Sequence, residues 1–589
     1  MEINHKNLKI ILGIMATLFA YCIFSLRYLV YPPVQLINEN VVGIGLTIIV
    51  VFFLLTKNEW QKNFSLVKVE SKTIFVFLVI FSLAVFLRFY DLSNIPPGVH
   101  GDEGEWGLIE LKVLKGEFKE FFSLAQQGIY FDFSLLSFAT QAIFIKIFGA
   151  NIFGVRASSA FAGAFSLIPF YLLAKEWLSK RGALFASFCF AVSHWAIAYS
   201  RLGISNIWTV FWELWLFLFL FKGIRKNSRL DFSLAGIFLG LGLYFHHTFK
   251  AVPIILGIFF CFLLIKEKKQ FLKRLAPLAC FLGIALLAFL PQLIYYWQNP
   301  GSFTARMDEV SILNRLEEYQ NKYQTNSLLA ILLIQFFKTL NVFVKGGDIG
   351  FFFYGYQGAL VDFLTLILVI WGLWIVLRKF WKNEFFFLII WLLVIIILGG
   401  TLTIDAPSSQ RLLALVPALF FLAGLGMEKI LNFLKSEKLK NYLVTITMIF
   451  IAMINYDAYF NRYVHSDAGW AQKEPATAIA KYLLSLGGNY KVYMLREENS
   501  ILYFHHGTIR FLAPLIQGTD VSENTLNYIP VKNESGKNLV YIMPPGSKFL
   551  SSLYQAYPLG YERQFINPYN QKPWFTSYEI RRDNYNIKD

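Results

Sequence analysis

Cysteine is scarce in this chain of 589 residues, which contains only Cys22, Cys189, Cys261 and Cys280. Each cysteine stands alone within an apolar segment, without the close spacing to other cysteines or histidines that a structural zinc site requires. The pattern argues against a disulfide-stapled fold and against a cysteine metal centre. It favours cysteines that act as small packing residues.

Charged residues are also few, at 16% of the chain, whereas 56% of the residues are hydrophobic and the mean hydropathy is +0.50. A soluble protein of this size could not bury so much apolar surface, and runs of about 18 or more apolar residues recur. No low-complexity tract, internal repeat or cleavable signal peptide is evident. The composition therefore predicts a protein that crosses the membrane many times.

Hydropathy and turn signals predict about 13 membrane-spanning helices. Their approximate limits are 8–30, 41–56, 73–90, 153–174, 182–200, 206–222, 231–248, 250–265, 275–296, 361–378, 385–403, 411–427 and 441–459. Lysine and arginine concentrate in alternate connectors, at 57–72, 175–181, 222–229, 266–274, 378–382 and 429–440. The positive-inside rule then predicts a multi-pass plasma-membrane protein with a cytoplasmic N-terminus and an extracytoplasmic C-terminus. The net charge of +16 is explained by these connectors and does not indicate a nucleic-acid partner.

The predicted fold is an all-α polytopic bundle with a small C-terminal extracytoplasmic α/β domain. Residues 1–72 would add two N-terminal helices to a core at 73–460, whose outer loops are 91–152 and 297–360. In the domain at 461–589, helix-like 474–486 and 547–557 alternate with strand-like 491–495, 539–543, 560–565 and 575–581. Two further apolar pieces, 134–148 and 327–344, are predicted to be juxtamembrane helices.

Three carboxylates stand close together in the first outer loop, at Asp102, Glu103 and Glu105. Ionisable groups are costly near hydrocarbon, so a cluster just beyond an apolar helix indicates a site. A local explanation competes with a catalytic one, because Asp102 could be the N-cap of a helix and Glu105 its N3 partner. The two explanations are compatible, since a helix start also holds a carboxylate rigidly.

A carboxylate at the outer edge of a helix bundle could act as a general base on an attacking hydroxyl. An enzyme embedded in the membrane can act on an electrophile carried by a lipid, such as a sugar on polyprenyl phosphate. The departing phosphate then needs positive charge more than a proton donor. Candidate cations on the predicted outer side are Arg88, Arg156, Arg201, Lys250, Arg306, Lys345 and Arg411. Arg201 and Arg411 are favoured because each lies at the outer mouth of a helix, although a headgroup anchor is the plainer role for any one of them.

Several ordered segments resemble the bacterial GT-C glycosyltransferases, relatives of the protein O-mannosyltransferases and of the aminoarabinose transferases that act on lipid A. The segments are Arg88-Phe-Tyr-Asp-Leu, Ile95-Pro-Pro-Gly-Val-His-Gly-Asp-Glu-Gly-Glu-Trp, Arg156-Ala-Ser-Ser-Ala, His194-Trp-Ala-Ile-Ala-Tyr-Ser-Arg201-Leu-Gly, Pro407-Ser-Ser-Gln-Arg411-Leu-Leu-Ala-Leu-Val-Pro417 and Tyr557-Pro-Leu-Gly-Tyr. The resemblance covers most of the chain from about residue 85.

This resemblance implies a glycosyltransferase that inverts the anomeric centre of a sugar taken from a polyprenyl-phosphate donor. The acceptor would be a protein, a lipid or a glycan on the outer side. Asp102 matches the catalytic base and Glu103 its acidic neighbour, while Arg88, Arg201, Lys250 and Arg411 would bind the phosphate. Two departures are visible: the helices before residue 73 are additional, and the loop 202–206 lacks the acidic residue that some relatives carry there.

A divalent cation is a further hypothesis, since some relatives are thought to bind one and a cation could neutralise phosphate. His100, His246 and Glu103 are the candidate ligands, with His247 beside His246. Adjacent histidines on a helix cannot face the same way, so a single metal ion would use only one of them. An interfacial histidine is the favoured interpretation, and the sequence establishes no cofactor.

Two other classes of function compete with this interpretation. A lipid-linked glycan flippase or transporter would usually place several ionisable residues near mid-membrane. Here Glu213 is the one clear carboxylate deep inside a predicted span. A glycan polymerase or ligase would be closer in chemistry, and a non-catalytic scaffold would leave the Asp102–Glu103 loop unexplained.

Overall fold

The computed structural model describes Phe52, Thr56 and residues 71–118, 133–346, 351–466, 474–497, 503–522 and 536–584. Apart from Phe52 and Thr56, the predicted spans 8–30 and 41–56 lie outside the described residues. The predicted division of the chain at 72 and 460 stays a prediction.

Helices make up most of the chain between residues 71 and 466. In chain order they are α1 Ser71–Phe89, α2 Gly101–Leu114, α3 Leu135–Phe148, α4 Ile152–Phe165, α5 Leu167–Trp177, α6 Lys180–Val192, α7 His194–Ser200, α8 Asn206–Lys226, α9 Arg229–Gly242, α10 Val252–Lys266, α11 Lys268–Lys273, α12 Leu275–Gln298, α13 Ala305–Val310, α14 Leu316–Tyr323, α15 Leu328–Asn341, α16 Phe351–Tyr354, α17 Phe363–Arg378, α18 Asn383–Ile396, α19 Val416–Leu431 and α20 Glu437–Tyr456. Short 3-10 helices lie at His247–Ala251, Ile312–Arg315 and Leu413–Leu415, and π-helical turns at Ile397–Thr401 and Asp457–Tyr463.

Among the described residues, eight helical stretches are long and apolar enough to cross a membrane. They are α1, α4 with α5, α8, α10 with its preceding 3-10 turn, α12, α18 with its π-turn, α19 with its 3-10 turn, and α20 with its π-turn. A ninth results if α6 and α7, bent by 54°, form one span. The bend falls at Ser193, whose ψ of 118° leaves the helix and whose hydroxyl accepts the N–H of Ala196 to cap α7.

Every predicted span from 73–90 onward coincides with helical structure. Two of them are shorter than a full crossing, because α9 has 14 residues and α17 has 16. The predicted juxtamembrane segments are helices too, at α3 and α15. The predicted fold class, a helical membrane bundle with a small α/β domain, is confirmed.

The C-terminal domain contains α21 Ala476–Leu486, β1 Tyr490–Arg496, α22 Gly507–Leu512, β2 Gly518–Ser522, β3 Asn538–Met543, α23 Phe549–Ala556, β4 Tyr561–Ile566, β5 Pro573–Ile580 and a 3-10 turn at Arg582–Asn584. The strand order is β2-β1-β3-β5-β4. β1 pairs in parallel with β2 and β3, whereas β5 is antiparallel to β3 and β4. Alternating side chains of β1 enter two cores: Val492 and Met494 pack with α21, and Tyr493 and Leu495 pack with α23.

The sequence interpretation of this domain missed α22 and β2. Both are short, with six and five residues, and neither carries a long apolar run. α22 is nevertheless the element that connects the domain to the bundle, because it packs directly on α2. Phe511 of α22 joins Ile145 of α3 and Val155 of α4 in one apolar cluster around α2. The carboxylate loop and the C-terminal domain therefore lie on the same side of the bundle.

Candidate active site

The first turn of α2 is capped by His100. Its Nδ1 atom accepts the N–H of Asp102 at 3.0 Å, and the carboxylate of Glu103 accepts the N–H of His100 at 2.9 Å. This is a capping box with His100 at the N-cap and Glu103 at N3. The predicted box of Asp102 and Glu105 is wrong by two residues, because the imidazole nitrogen here replaces the usual hydroxyl or carboxylate acceptor.

Asp102 is consequently not used as a cap. Its side chain retains 21% of its exposure, and its Oδ2 atom lies 3.7 Å from Nδ1 of His100. Since that Nδ1 atom accepts the N–H of Asp102, a neutral His100 ring carries its proton on Nε2. Asp102 thus presents an accessible carboxylate from the rigid start of a helix.

Glu103 is completely buried, and its two oxygen atoms have several partners. Arg156 donates from Nε to Oε1 at 2.8 Å and from its terminal nitrogen to Oε2 at 3.2 Å. The N–H of Gly203 donates to Oε1 at 2.8 Å, in addition to the bond from His100. These contacts anchor α2 to α4 and to the loop after α7, and the predicted role of Glu103 as a cation ligand stays a prediction.

Arg156 organises the segment that leads into α2. The guanidinium is fully buried and also donates to the carbonyl oxygens of Leu92, Pro96 and Gly98, at 3.2, 2.8 and 2.5 Å. A buried charge needs both an opposite charge and hydrogen bonds to be tolerated, and Arg156 has both. The sequence indicated Arg156 only as one of several outer cations, since its ion-pair partner is 53 residues away.

Arg88 is buried and donates to backbone carbonyls rather than facing a lipid headgroup. Its guanidinium contacts Ala191 O at 2.9 Å, Phe190 O at 3.4 Å and the Ser200 hydroxyl at 3.1 Å. These carbonyls belong to the last turn of α6, which the bend at Ser193 leaves without helical partners. These contacts favour a structural role, and the predicted phosphate-binding role of Arg88 stays a prediction.

Arg201 has the same kind of environment. It is fully buried and donates to Leu87 O at 2.8 Å, Tyr90 O at 2.6 Å and Ile95 O at 2.9 Å. These bonds satisfy the carbonyl end of α1 and fix the chain where it turns toward α2. Because its donors are committed to these carbonyls, a structural role is favoured for Arg201 too, and its predicted phosphate-binding role stays a prediction.

Lys250 and Arg411 remain partly exposed, unlike the two preceding arginines. Lys250 donates from Nζ to Phe303 O at 2.7 Å and lies 4.4 Å from the centroid of the Phe303 ring. Arg411 donates to Ile404 O. Of the predicted phosphate-binding residues, these two keep the accessibility that the role requires.

The segment before Arg411 meets α7, so two stretches singled out in the sequence are neighbours in space. Trp195 donates from its indole nitrogen to Ser409 O at 3.1 Å, and the Tyr199 hydroxyl lies 2.8 Å from the Ser409 hydroxyl. The carboxylate of Glu103 bonds to Gly203 just after α7. The carboxylate loop, the segment around Arg201 and the segment around Arg411 thus form one connected region.

The candidate metal ligands His100, His246 and Glu103 do not form a group of three that could hold a metal ion. His246 caps the 3-10 turn at His247–Ala251, with Nδ1 2.9 Å from the Thr248 hydroxyl and Nε2 3.0 Å from the Asn206 amide. Glu103 is committed to Arg156. Across the described ranges, no group of three or more His, Cys, Asp or Glu side chains could hold a metal ion. These residues therefore do not provide a site for the hypothesised divalent cation.

Glu110 is a buried carboxyl that the sequence interpretation missed. It lies on α2 seven residues after Glu103, so both occupy one face of the helix, and it is 1% exposed. Neither of its oxygens has a hydrogen-bond partner among the residues that the structure describes, and burial raises the pKa of this carboxyl well above its usual value. The helical spacing of acids at 103 and 110 was a signal that could have found it.

Two comparisons with known proteins match parts of the sequence. The family model of dolichyl-phosphate-mannose-protein mannosyltransferases matches residues 132–295. A Bacillus subtilis (strain 168) protein named "Putative mannosyltransferase YkcB" is 32% identical over 149 residues, which are 25% of this chain and 20% of that relative. The chain thus matches about a fifth of the length of this curated relative. Both matches are partial.

Crystal structures of ArnT from Cupriavidus metallidurans are similar over nearly the whole fold. The structure bound to undecaprenyl phosphate aligns with a TM-score of 0.53 at 13% identity, covering 86% of this chain and 97% of that chain. The apo structure aligns with a TM-score of 0.51 over the same shares, also at 13% identity. The likeness shows a GT-C fold, and with the matching segment it supports the GT-C glycosyltransferase superfamily that the sequence resemblance indicated.

Proposed function

We propose that this protein is an inverting membrane glycosyltransferase that takes a sugar from a polyprenyl-phosphate donor. Asp102 is its general base. The observation that carries the proposal is the contrast between adjacent carboxylates. Glu103 is completely buried in an ion pair, whereas Asp102 is left accessible on the same rigid turn. The loop is thus fixed by one acid while the other is presented to the solvent side.

The reaction follows from this arrangement. An acceptor hydroxyl attacks the anomeric carbon while Asp102 accepts the hydroxyl proton. The bond from the anomeric carbon to the phosphate oxygen breaks, and polyprenyl phosphate departs with the electron pair. Because attack and departure occur on opposite faces of the carbon, the configuration inverts. Lys250 and Arg411 are the accessible cations that would stabilise the departing phosphate.

The donor class is supported by the similar ArnT structure, which contains undecaprenyl phosphate. The lipid tail would partition into the bilayer, while the sugar and the phosphate would lie near the boundary where α2 begins. The positive-inside pattern supports an extracytoplasmic site and a cytoplasmic N-terminus in the plasma membrane. Protein, lipid and glycan acceptors are distinguished by mass spectrometry of the transferred product.

The decisive experiment replaces Asp102 by Asn in purified membranes supplied with a panel of polyprenyl-phosphate hexoses and pentoses. Loss of a positioned general base lowers the rate by about 10²–10⁴-fold. Glu117→Gln is the matched control, because Glu117 is an exposed acid just after α2. Unchanged transfer by a normally expressed Asp102→Asn protein would remove Asp102 from the mechanism.

A further inference from the structure

Two helices that both begin with the dipeptide His-Gly cross at the carboxylate loop. In α2 the N-cap is His100, followed by Gly101. In α22 of the C-terminal domain the N-cap is His506, followed by Gly507. The His506 Nδ1 atom accepts the N–H of Thr508 at 3.3 Å, as His100 does for Asp102. The C-terminal domain therefore reaches the bundle through a helix start that faces the start of α2.

The crossing leaves no room for a side chain between the two backbones. A Cβ atom on Gly104 would lie 2.3 Å from the Gly507 carbonyl carbon and from the Thr508 nitrogen. A Cβ atom on Gly507 would lie 2.6 Å from the Gly101 oxygen. A Cβ atom essentially never approaches a non-bonded heavy atom this closely, so glycine is required on both sides of the crossing.

His506 covers the peptide that immediately precedes Asp102. Its Nε2 atom lies 2.9 Å from the position that a Gly101 Cβ would occupy. The same nitrogen forms a buried pair with Glu474, and the two side chains are 6% and 3% exposed. Because Nδ1 is used as the helix cap, both ring nitrogens are fixed and the imidazole cannot rotate away from Gly101.

Further bonds hold the chain on both sides of Asp102. The N–H of Val99 donates to the Thr477 hydroxyl at 2.8 Å, and the Thr508 hydroxyl donates to Val99 O at 2.9 Å. After Asp102, Arg510 pairs with Glu105 at 3.1 Å. The C-terminal domain thus contacts residues 99, 101, 104 and 105, which bracket the proposed base.

We propose that His506 and Glu474 are positioning residues for Asp102, so that the C-terminal domain forms part of the active site. This inference rests on the proposed function. The pair fixes the His506 ring, the ring fixes the Gly101 peptide, and that peptide sets where the Asp102 carboxylate stands. Loosening the crossing lowers kcat, because a misplacement of 1 Å costs about 10²-fold in rate. The KM for the donor stays unchanged, since the cations that would bind its phosphate belong to the helix bundle.

The first test compares two alanine substitutions in the same domain. Gly507→Ala inserts a methyl group into the crossing, whereas Gly488→Ala faces open space with nothing within 4 Å. We expect Gly507→Ala to lower kcat by about tenfold or more, with donor KM within about twofold. Gly488→Ala should behave like the unmodified protein, and equal kcat for both variants would overturn the inference.

The second test asks whether the buried pair acts by holding His506. Glu474→Leu removes the acceptor of the His506 Nε2 proton, whereas Glu474→Gln retains an oxygen that can accept it. We expect the Leu variant to lose kcat and the Gln variant to recover most of it. Tyr482→Phe is the control, because it removes hydrogen bonds to Ser577 and Glu579 of β5 within the same domain and leaves the His506–Glu474 pair in place.

The outcomes separate this inference from the function on which it rests. If Asp102→Asn abolishes transfer while Gly507→Ala and Glu474→Leu keep full kcat, Asp102 needs no positioning by the C-terminal domain. If Asp102→Asn is itself fully active, the proposed function fails. If the Glu474→Leu protein does not accumulate, His506→Asn takes its place. This variant keeps a side-chain cap for the N–H of Thr508 but loses the pair with Glu474. Full kcat in His506→Asn counts against the inference.

Discussion

Glu103 and Arg156 form a bidentate ion pair in which neither side chain is exposed to solvent. The pair joins the first turn of α2 to α4, and its arginine also binds three carbonyls of the preceding segment. Glu103, the acidic neighbour of the proposed base Asp102, thus supports the helical turn that carries Asp102. Breaking this pair should therefore lower the stability of the folded protein.

Replacing Glu103 by Ala leaves Arg156 as an unpaired buried charge. We expect a loss of about 3–5 kcal/mol in the free energy of unfolding. Thermal unfolding in detergent measures this, with Glu437→Ala as control because its pair with Arg181 is exposed. Asp102→Asn should unfold at the temperature of the unmodified protein. A stable but inactive Glu103→Ala protein would instead indicate that Glu103 takes part in the reaction.

Arg201 should behave as a structural residue when it is replaced. Arg201→Met removes the donors to Leu87, Tyr90 and Ile95, and each orphaned buried carbonyl costs about 1–3 kcal/mol. Arg201→Lys should recover little of this stability, because one ammonium group cannot replace the several N–H donors of the planar guanidinium group. We expect a lower unfolding temperature with donor KM unchanged in the protein that remains folded. A stable variant with a raised donor KM would identify Arg201 as a phosphate ligand after all.

The sequence predicted the helices well because apolar runs and connector charges are local properties. It could not predict the contacts that hold the candidate site together, because those contacts join residues that are distant in the chain. Glu103 pairs with a residue 53 positions away, and Thr508 bonds to Val99 across 409 positions. The arginines 88 and 201 look like headgroup anchors in the sequence, but they satisfy carbonyls at the ends of other helices. The cap was misassigned because histidine is an uncommon N-cap residue.

Arg411 is the accessible arginine that should contact the donor phosphate. We expect Arg411→Ala to raise the KM for the donor more than the KM for the acceptor, because only the donor carries the phosphate. Arg306→Ala is a matched control, since Arg306 pairs with Glu309 on the surface of α13. Initial rates at varied donor and saturating acceptor measure the effect. Equal changes in both constants would indicate a structural role for Arg411.

Glu110 should make the stability of the protein depend on pH. Burial raises the pKa of its carboxyl well above its ordinary value, so the folded state binds a proton that the unfolded state has released. Stability is therefore highest below the unfolded pKa and falls as the pH rises toward the folded one.

Glu110→Gln keeps the shape of the side chain without the acid, so it should unfold at a higher temperature than the unmodified protein at pH 8. The difference should shrink as the pH falls to 4.5 and below, where the unfolded carboxyl also gains its proton. Glu117→Gln, at an exposed position, should show no such difference at either pH. Parallel unfolding curves for Glu110→Gln and the unmodified protein across this range would mean that Glu110 is ionised in the folded state.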